Sequence, residues 1–309
     1  MPLVASVLAL TAGVVWSFGA LLARMAQHTD AWQYLIWRSI GVFVVMEIVS
    51  RRRGQRWMVS RAFRGGRTMA LGTVSLLVAS LAFVYAVKNT TAANAAFLAS
   101  VGPLIAVLLA RVFLGERLTR VTIVATAVAF VGLLIMVTAD LGVGNMAGNV
   151  SAVASAVGFA AYTVCLRTDR TRDWSPIMPG YATMMVALCT VVTLANGKSL
   201  VPPARDLLYA VTHGGLIIVV GTLLYNVGSR TVPAVAMTVF AQTEMVFVPV
   251  WIFLRFGERP RSTTLIGAAI ILAAVVGKAV LDARTSGPQL TIERHRKSWR
   301  DQRAVEPLP

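Results

Sequence analysis

Residues 121–137 read VTIVATAVAFVGLLIMV, a run of 17 residues without a charged side chain. Apolar residues follow one another here without the alternation that marks the strands of a membrane β-barrel. A bilayer core about 30 Å thick needs about 20 apolar residues as a helix, because each backbone amide must find its partner within the segment. Extended to 119–139, the stretch therefore predicts a transmembrane helix.

Nine further apolar windows of similar length surround this one, so the sequence predicts an all-α polytopic membrane protein with ten transmembrane helices. The windows are 3–27, 31–50, 68–87, 91–114, 119–139, 148–167, 177–196, 207–228, 233–254 and 262–281. The composition agrees: 57% of the 309 residues are hydrophobic and 14% are charged, against about 25% charged in soluble domains. The first window has no basic segment before it, and we expect it to be retained rather than cleaved as a signal peptide.

The basic residues are distributed unequally between alternate loops. Of the 29 lysines and arginines, 21 lie in 51–67, 111–120 and 167–172, at Arg230, and from Lys278 onward. By the positive-inside rule these segments face the cytoplasm, and ten spans then place both termini there, in a cytoplasmic (inner) membrane. Such segments attract anionic lipid headgroups, which explains the net charge of +16 without a nucleic-acid partner.

A polar Gly-Glu-Arg sequence between apolar windows occurs twice in the chain. Residues 113–119 read FLGERLT and residues 255–261 read RFGERPR, which places Gly-Glu-Arg twice at a spacing of 142 positions. We therefore divide the chain into two five-helix repeats, 1–140 and 146–281, followed by a basic, disordered cytoplasmic tail at 282–309. Because five is odd, the two repeats must be inverted, an architecture typical of transporters that expose a midplane site alternately to each side.

The repeated corner has a structural role available to it. Gly115 and Gly257 can each end a helix in the left-handed conformation, and Glu116 and Glu258 can accept hydrogen bonds from the free amides that open the next helix. The alternative, in which these glutamates bind substrate, stays open at this point.

The stretch TAANAAFLASVGPLIAVLLARVFLGERL at 91–118 resembles the fourth-helix signature of EamA-type proteins of the drug/metabolite transporter (DMT) superfamily. GVVWSFGALLAR at 13–24, Arg38 in the second helix and GNVSAVASAVGFAAYTVCLR at 148–167 extend the resemblance. The resemblance implies a ten-helix carrier that moves small metabolites, often outward and usually without ATP. The chain departs from the family pattern in the ninth helix, where Met245 follows Glu244 in place of a proline.

Charged residues within spans are expensive and are the first functional candidates. Glu244 lies near the middle of the ninth window, where it could take up a proton in one conformation and release it in another; a fixed ion pair or a hydrogen bond to the backbone is the alternative. Arg38 could hold an anionic group bidentately, snorkel outward or pair with an acid. We expect Glu47, next to Arg51–Arg53, to form a salt bridge at the rim.

Aromatic and amide side chains within the windows are the remaining site candidates, because such groups suit a planar or amphipathic metabolite. Bridging between neighbouring helices is the alternative reading for each of them. They are Trp16, Tyr85, Asn94, Tyr162, Tyr225, Asn226 and Gln242.

Motifs of catalysis and of metal or nucleotide binding are absent from the sequence. There is no HExxH, GxSxG or GxxxxGK[ST] pattern, and Cys165 and Cys189 form no CxxC pair. We therefore predict no enzymatic activity, no cofactor and no metal. The predicted function is secondary transport of a small organic, amino-acid-like metabolite by alternating access, in the direction of export, with proton coupling as a hypothesis. The alternative is an uptake carrier for a vitamin or nucleoside-like compound, and homodimerisation is left open.

Overall fold

The computed structural model describes residues 3–89, 98–99, 101–116, 119–137, 146–257 and 262–281, and over these it consists of helices and turns without a strand. Eight helices in this part of the chain are long and apolar enough to cross a membrane. They are α1 (Leu3–Met25), α2 (Ala31–Arg52), α4 (Gly66–Asn89), α7 (Met146–Thr168), α8 (Ile177–Ala195), α9 (Ala204–Ser229), α10 (Ala234–Phe256) and α11 (Ser262–Leu281).

Two shorter apolar helices, α5 (Gly102–Leu114) and α6 (Arg120–Val137), lie between α4 and α7. A further short helix, α3 (Met58–Phe63), follows α2. The many exposed leucine, valine and isoleucine side chains along these helices would face lipid rather than water. The fold is that of an integral multi-pass membrane protein.

Helix α3 lies in the basic segment 51–67, which the sequence predicts to be a loop. The Glu47 carboxylate accepts hydrogen bonds from the backbone amides of Met58 (2.9 Å) and Val59 (2.6 Å), which open this helix. The expected rim salt bridge of Glu47 is therefore replaced by a helix cap.

The two halves of the chain exchange their first helices. Helix α1 packs against α9 and α10, whereas α7 packs against α4 and α5. In the first of these contacts, a Cβ added to Gly228 would lie 3.1 Å from the Ala5 carbonyl oxygen. In the second, the Ser155 hydroxyl donates to the Ala79 carbonyl oxygen at 2.8 Å. Each half therefore completes the core of the other.

Contacts between α2 and α8 establish the direction of the halves. Trp37, near the start of α2, donates to the carbonyl oxygen of Leu200, just beyond the end of α8, at 2.9 Å. Past the end of α2, Arg61 pairs with Asp173, just before the start of α8, at 2.8 Å. Helices α2 and α8 are therefore antiparallel. Because short connections reverse the chain between α1 and α2 and between α7 and α8, helices α1 and α7 also run in opposite directions.

The repeated glycine corner has the same backbone structure in both halves. Helix α5 ends at Gly115 (φ +61°), and α10 ends at Gly257 (φ +69°). A positive φ is unfavourable for residues with a Cβ, which accounts for glycine at both places. The helical segment before Gly115 is Gly102–Leu114, and the segment before Gly257 is Thr243–Phe256, the second part of α10. Helical segments of nearly equal length therefore precede the two corners.

Candidate functional site

Helix α10 is interrupted at Gln242. Its two segments are Ala234–Ala241 and Thr243–Phe256. Glu244 lies in the first turn of the second segment, where unsatisfied amides favour a negative charge. Pro249 lies inside the same segment and cannot donate a backbone hydrogen bond. The interruption places a carboxylate at the amino end of a half-helix. Discontinuous helices of this kind form the midplane sites of secondary transporters.

Helix α1 covers this interruption with a glycine. A Cβ added to Gly13 would lie 3.0 Å from the Thr243 Cβ and 3.1 Å from the Glu244 amide nitrogen, so the two backbones approach closely. One turn further along α1, Ser17 accepts a hydrogen bond from the Trp251 indole at 2.7 Å. The Glu244 side chain itself is half-buried, and within the described ranges no side chain or backbone group bonds to its carboxylate.

Four aromatic rings from α1, α7 and α9 form one cluster next to this place. Trp16 lies with its ring centroid 5.2 Å from that of Tyr225 and 5.9 Å from that of Phe159. Tyr162 stacks near Tyr225 at 6.3 Å. These separations are those of favourable aromatic pairs. Tyr162 and Tyr225 are completely buried, whereas Trp16 and Phe159 are half-buried.

The polar ends of the two tyrosines are held by neighbours in the same cluster. The Tyr162 hydroxyl donates to the Asn226 side-chain oxygen, and the Tyr225 hydroxyl shares a hydrogen bond of 2.8 Å with Thr163. The Asn226 amide nitrogen is buried and has no hydrogen-bond partner in the part of the chain that the structure describes. A buried donor without an acceptor is costly, so this nitrogen is available to an acceptor atom of a ligand.

Arg38 lies inside the helix bundle, where its side chain is 4% exposed. One of its amino groups donates to the hydroxyl of Ser80 on α4, and its Nε has no partner within the described ranges. The phenol rings of Tyr34 and Tyr181 lie within electrostatic range of the guanidinium. The side chain thus remains in the bundle and does not snorkel to the surface.

The backbone of Arg38 is packed against an irregular part of α9. Residues His213–Ile218 form a π-helical segment, and a Cβ added to Gly214 would overlap the Arg38 carbonyl oxygen. The Tyr34 hydroxyl is 2.7 Å from His213 Nδ1. Single π-helical turns occur frequently at functional sites, and here the turn brings a buried histidine close to Arg38.

Arg38 and Glu244 lie at different depths along α1. Gly19 packs against His213, at the level of the Arg38 backbone, whereas Gly13 packs against the Glu244 backbone. Six residues of helix separate these glycines, which corresponds to about 9 Å along the axis. The arginine and the acid therefore belong to two parts of the candidate site.

The structure gives the remaining predicted residues different places. Gln242 lies at the interruption of α10 and is half-buried. Tyr85 pairs with Trp32, at 5.9 Å between ring centroids, and so belongs to the contact of α2 with α4 instead of the Trp16 cluster. Asn94, Glu258 and the tail 282–309 lie outside the described residues.

Glu116 contacts a helix other than the one expected. Its carboxylate accepts from Arg167 Nε at 3.0 Å and from the backbone amide of Ala234 at 3.2 Å. Ala234 opens α10, which belongs to the other half of the chain, whereas the sequence analysis assigned Glu116 to the helix that follows it. Among the described residues, this glutamate thus joins the halves and is not placed beside Glu244.

The sequence profile of the EamA-like transporter family matches residues 3–138 and again residues 146–278. The two matches together span nearly all of the helical part of the chain. The chain belongs to the EamA-like transporter family.

The fold agrees with a protein of known crystal structure. That structure superposes with a TM-score of 0.77, covers 91% of the EamA-like chain and 98% of its own, and shares 20% sequence identity. At this identity the likeness shows the fold alone. No curated protein sequence matches the chain significantly. The family is one of membrane transporters of the drug/metabolite type.

Three residues of the EamA-like site were missed by the sequence analysis. Phe159 lies about one helical turn before Tyr162, so helical spacing was a signal for it, whereas Thr163 directly follows Tyr162 and carried no such signal. Ser80 carried no signal of its own, because a serine in an apolar helix is common where helices pack closely. Within the ranges that the structure describes, no group of three or more histidine, cysteine or acidic side chains is arranged to hold a metal ion.

Proposed function

We propose that this EamA-like protein is a secondary transporter that moves a small organic metabolite across the cytoplasmic membrane by alternating access. The observation that carries the proposal is the Glu244 carboxylate, which has no partner among the described residues and lies at the interruption of α10, where Gly13 of α1 covers it. An acid within a span is costly and is retained where it serves transport. An interrupted helix supplies free backbone groups at the same depth.

The proposed topology is ten spans in two inverted repeats with both termini in the cytoplasm. The opposite directions of α1 and α7 support it, as does the excess of arginine in alternate loops. The test labels equivalent turns of the two repeats in a background with Cys165→Ser and Cys189→Ala. We expect Gln27→Cys and Thr171→Cys, both at exposed positions, to react with a membrane-impermeant thiol reagent from opposite sides, and labelling from the same side would contradict inversion.

The proposed substrate class is amino-acid-like. The half-buried Trp16 ring supports an apolar or aromatic portion, and the unpartnered Asn226 nitrogen supports an acceptor atom such as a carbonyl oxygen. The direction of a coupled carrier is set by its gradients and not by its fold. Outward transport is therefore proposed from the family resemblance alone. Uptake of a vitamin or nucleoside-like compound is the second candidate, favoured by the same aromatic cluster.

We further propose that Glu244 couples transport to protons. Purified protein in proteoliposomes would be screened for counterflow of each standard amino acid, of vitamins and of nucleosides. For a transported compound, we expect the wild-type flux to depend on an imposed pH gradient and Glu244→Gln to exchange substrate without that dependence. Glu47→Gln is the control, because Glu47 is another acid within a predicted span, but its carboxylate caps α3. An unchanged pH dependence in Glu244→Gln would refute coupling, and no flux of any compound would contradict the transporter proposal.

A further inference from the structure

Arg38 is a buried positive charge for which the described chain supplies no negative partner. An arginine side chain stays protonated under all ordinary conditions, so burial cannot be relieved by loss of the proton. Leaving a buried charge uncompensated is strongly unfavourable. Yet among the described residues the guanidinium, with five N–H donors, has one hydrogen bond, to Ser80, and its Nε has none.

The acidic side chains in the described ranges are all accounted for elsewhere. Three are buried or half-buried carboxylates: Asp206 accepts from the His28 amide at 2.7 Å, Glu47 caps α3, and Glu116 pairs with Arg167. Three lie at helix ends or in loops and bond to Lys198, Thr171 and Arg61; these are Asp30, Asp169 and Asp173. Glu244 lies at the depth of Gly13, about 9 Å along the α1 axis from the level of Arg38.

The described groups around Arg38 include hydrogen-bonding side chains that are suited to an anion. Tyr34, Tyr181 and His213 lie within electrostatic range of the guanidinium. They come from α2, α8 and α9, so three helices contribute hydrogen-bonding groups to one environment. Asp206 also lies within electrostatic range of Tyr34, but its carboxylate accepts from the His28 amide, and among the described residues it forms no ion pair with Arg38. Ser80 holds one amino group of Arg38 and so fixes the direction of the planar fork. A fixed guanidinium of this kind binds a carboxylate with two parallel hydrogen bonds.

We propose that Arg38, oriented by Ser80, is the subsite that binds an oxyanion of the transported compound, and that this oxyanion is a carboxylate. The inference rests on the proposed transport function and narrows its substrate class. A carboxylate-bearing metabolite supplies the missing counter-charge, whereas a neutral nucleoside or an organic cation leaves Arg38 uncompensated. Ser80 acts as a positioning residue, because it contacts Arg38 and not the bound compound.

The test measures binding without requiring transport. Full-length protein in detergent would be heated in the presence of phenylacetate or of phenylacetamide, which has nearly the same shape without the charge, with inorganic phosphate as a third probe. Because a ligand of the folded state raises the unfolding midpoint, we expect phenylacetate to raise it and phenylacetamide to leave it unchanged. A shift with phosphate alone would overturn the assignment to a carboxylate.

Variants then assign the effect to the residues. We expect Arg38→Gln to lose the phenylacetate shift, Arg38→Lys to bind about ten-fold more weakly because the bidentate fork is lost, and Ser80→Ala to bind more weakly while keeping the preference for the acid over the amide. Arg170→Gln, which removes an exposed arginine of the α7–α8 connection, should keep the full shift. If Arg38→Gln does not fold, Arg38→Lys and Ser80→Ala still decide.

Equal shifts with the acid and the amide, or a full shift in Arg38→Lys and Ser80→Ala, would overturn the proposal. Counterflow in proteoliposomes separates this failure from that of the transport proposal. If carboxylates bind through Arg38 but none is transported, the subsite stands and the transport function fails. If neutral or cationic compounds are transported while carboxylates do not bind, transport stands and the subsite fails.

Discussion

Glu116 and Arg167 form an ion pair, 3.0 Å between Oε1 and Nε, that ties three chain junctions together. Arg167 also donates from Nη1 to the carbonyl oxygens of Ser229 and Arg230, at 3.1 and 3.2 Å. The second carboxylate oxygen of Glu116 accepts from the Ala234 amide. The corner after α5, the end of α7 and the turn between α9 and α10 therefore depend on a single pair of charges.

Removal of one member of this pair should destabilise the protein strongly. The Arg167 side chain is 4% exposed, so Glu116→Ala leaves a buried charge and should reduce the free energy of unfolding by about 3 kcal/mol. Glu116→Gln retains an acceptor for Ala234 and should cost about 1–2 kcal/mol. Both values are measured by unfolding in detergent micelles with added denaturant.

A double-mutant cycle separates the pair from its surroundings. If the charges act together, Glu116→Gln combined with Arg167→Gln should cost less than the sum of the two single variants. Asp169→Asn serves as the control, because its carboxylate bonds within an exposed turn to Thr171. Additive single effects would show that Glu116 and Arg167 stabilise the protein independently.

Two glycines in spans should respond oppositely to alanine. At Gly214 a Cβ would overlap the Arg38 carbonyl oxygen, whereas at Gly277 nothing lies within 4 Å of the added atom. Gly214→Ala should therefore force α2 and α9 apart and cost about 3 kcal/mol or more. Gly277→Ala should be neutral or stabilise by up to about 1 kcal/mol, because alanine favours a helix. The unfolding midpoints of the two variants test this prediction. Similar midpoints would mean that α2 and α9 can move apart at little cost in free energy.

The class of fold was predictable because hydropathy acts over whole windows. A run such as 121–137 is stable in a bilayer as a helix, because a helix satisfies its own backbone groups. The match of the family profile to residues 3–138 and 146–278 confirms the predicted EamA-like family. Helix α3 was not predictable in this way. It is six residues long, too short for a hydropathy window, and is capped by Glu47 from a distance of 11 positions.

The candidate site was predictable only as a set of residue types. Depth within a window selected Arg38 and Glu244, since charge within a span is costly wherever the side chain points. Which side chains meet depends on helix packing, and packing depends on partners far apart in the sequence. Tyr162 meets Asn226 across 64 positions, whereas Tyr85, an equally good candidate by type, pairs with Trp32. The hydrogen bond from the Ala234 amide to Glu116 likewise depends on packing between distant parts of the chain.

The buried hydrogen bond between Tyr162 and Asn226 should contribute more than its neighbour. Tyr162→Phe leaves the Asn226 oxygen without its donor and should cost about 1–3 kcal/mol. Tyr225→Phe is the matched control, because Thr163 keeps a second hydrogen bond, to the Phe159 carbonyl at 2.9 Å, and the cost should be about 1 kcal/mol.

Combining Tyr162→Phe with Asn226→Leu removes both partners of that bond at once. The double variant should then recover much of the stability that Tyr162→Phe loses, as replacing both partners by apolar groups is nearly neutral. Thermal unfolding of the four variants provides the comparison. If the double variant is less stable than both Tyr162→Phe and Asn226→Leu, the loss of stability in Tyr162→Phe does not come from the unpaired Asn226 oxygen.

Asp30, at the turn between α1 and α2, should give a stability contribution that disappears in acid. Partial burial opposes ionisation, but hydrogen bonds from Lys198 and from the Gln33 amide outweigh it and hold the pKa of Asp30 below its ordinary value. The contribution is therefore complete at neutral pH and is lost as the pH falls through the ordinary aspartate value, about 4, and below it.

Asp30→Asn keeps the helix cap and loses the ion pair, which is partly exposed, so the difference from wild type should be at most about 1 kcal/mol. Asp30→Ala loses the cap as well and should cost about 1 kcal/mol more. Unfolding between pH 7 and pH 3 measures both, and a difference between wild type and Asp30→Asn that grows in acid would contradict the lowered pKa.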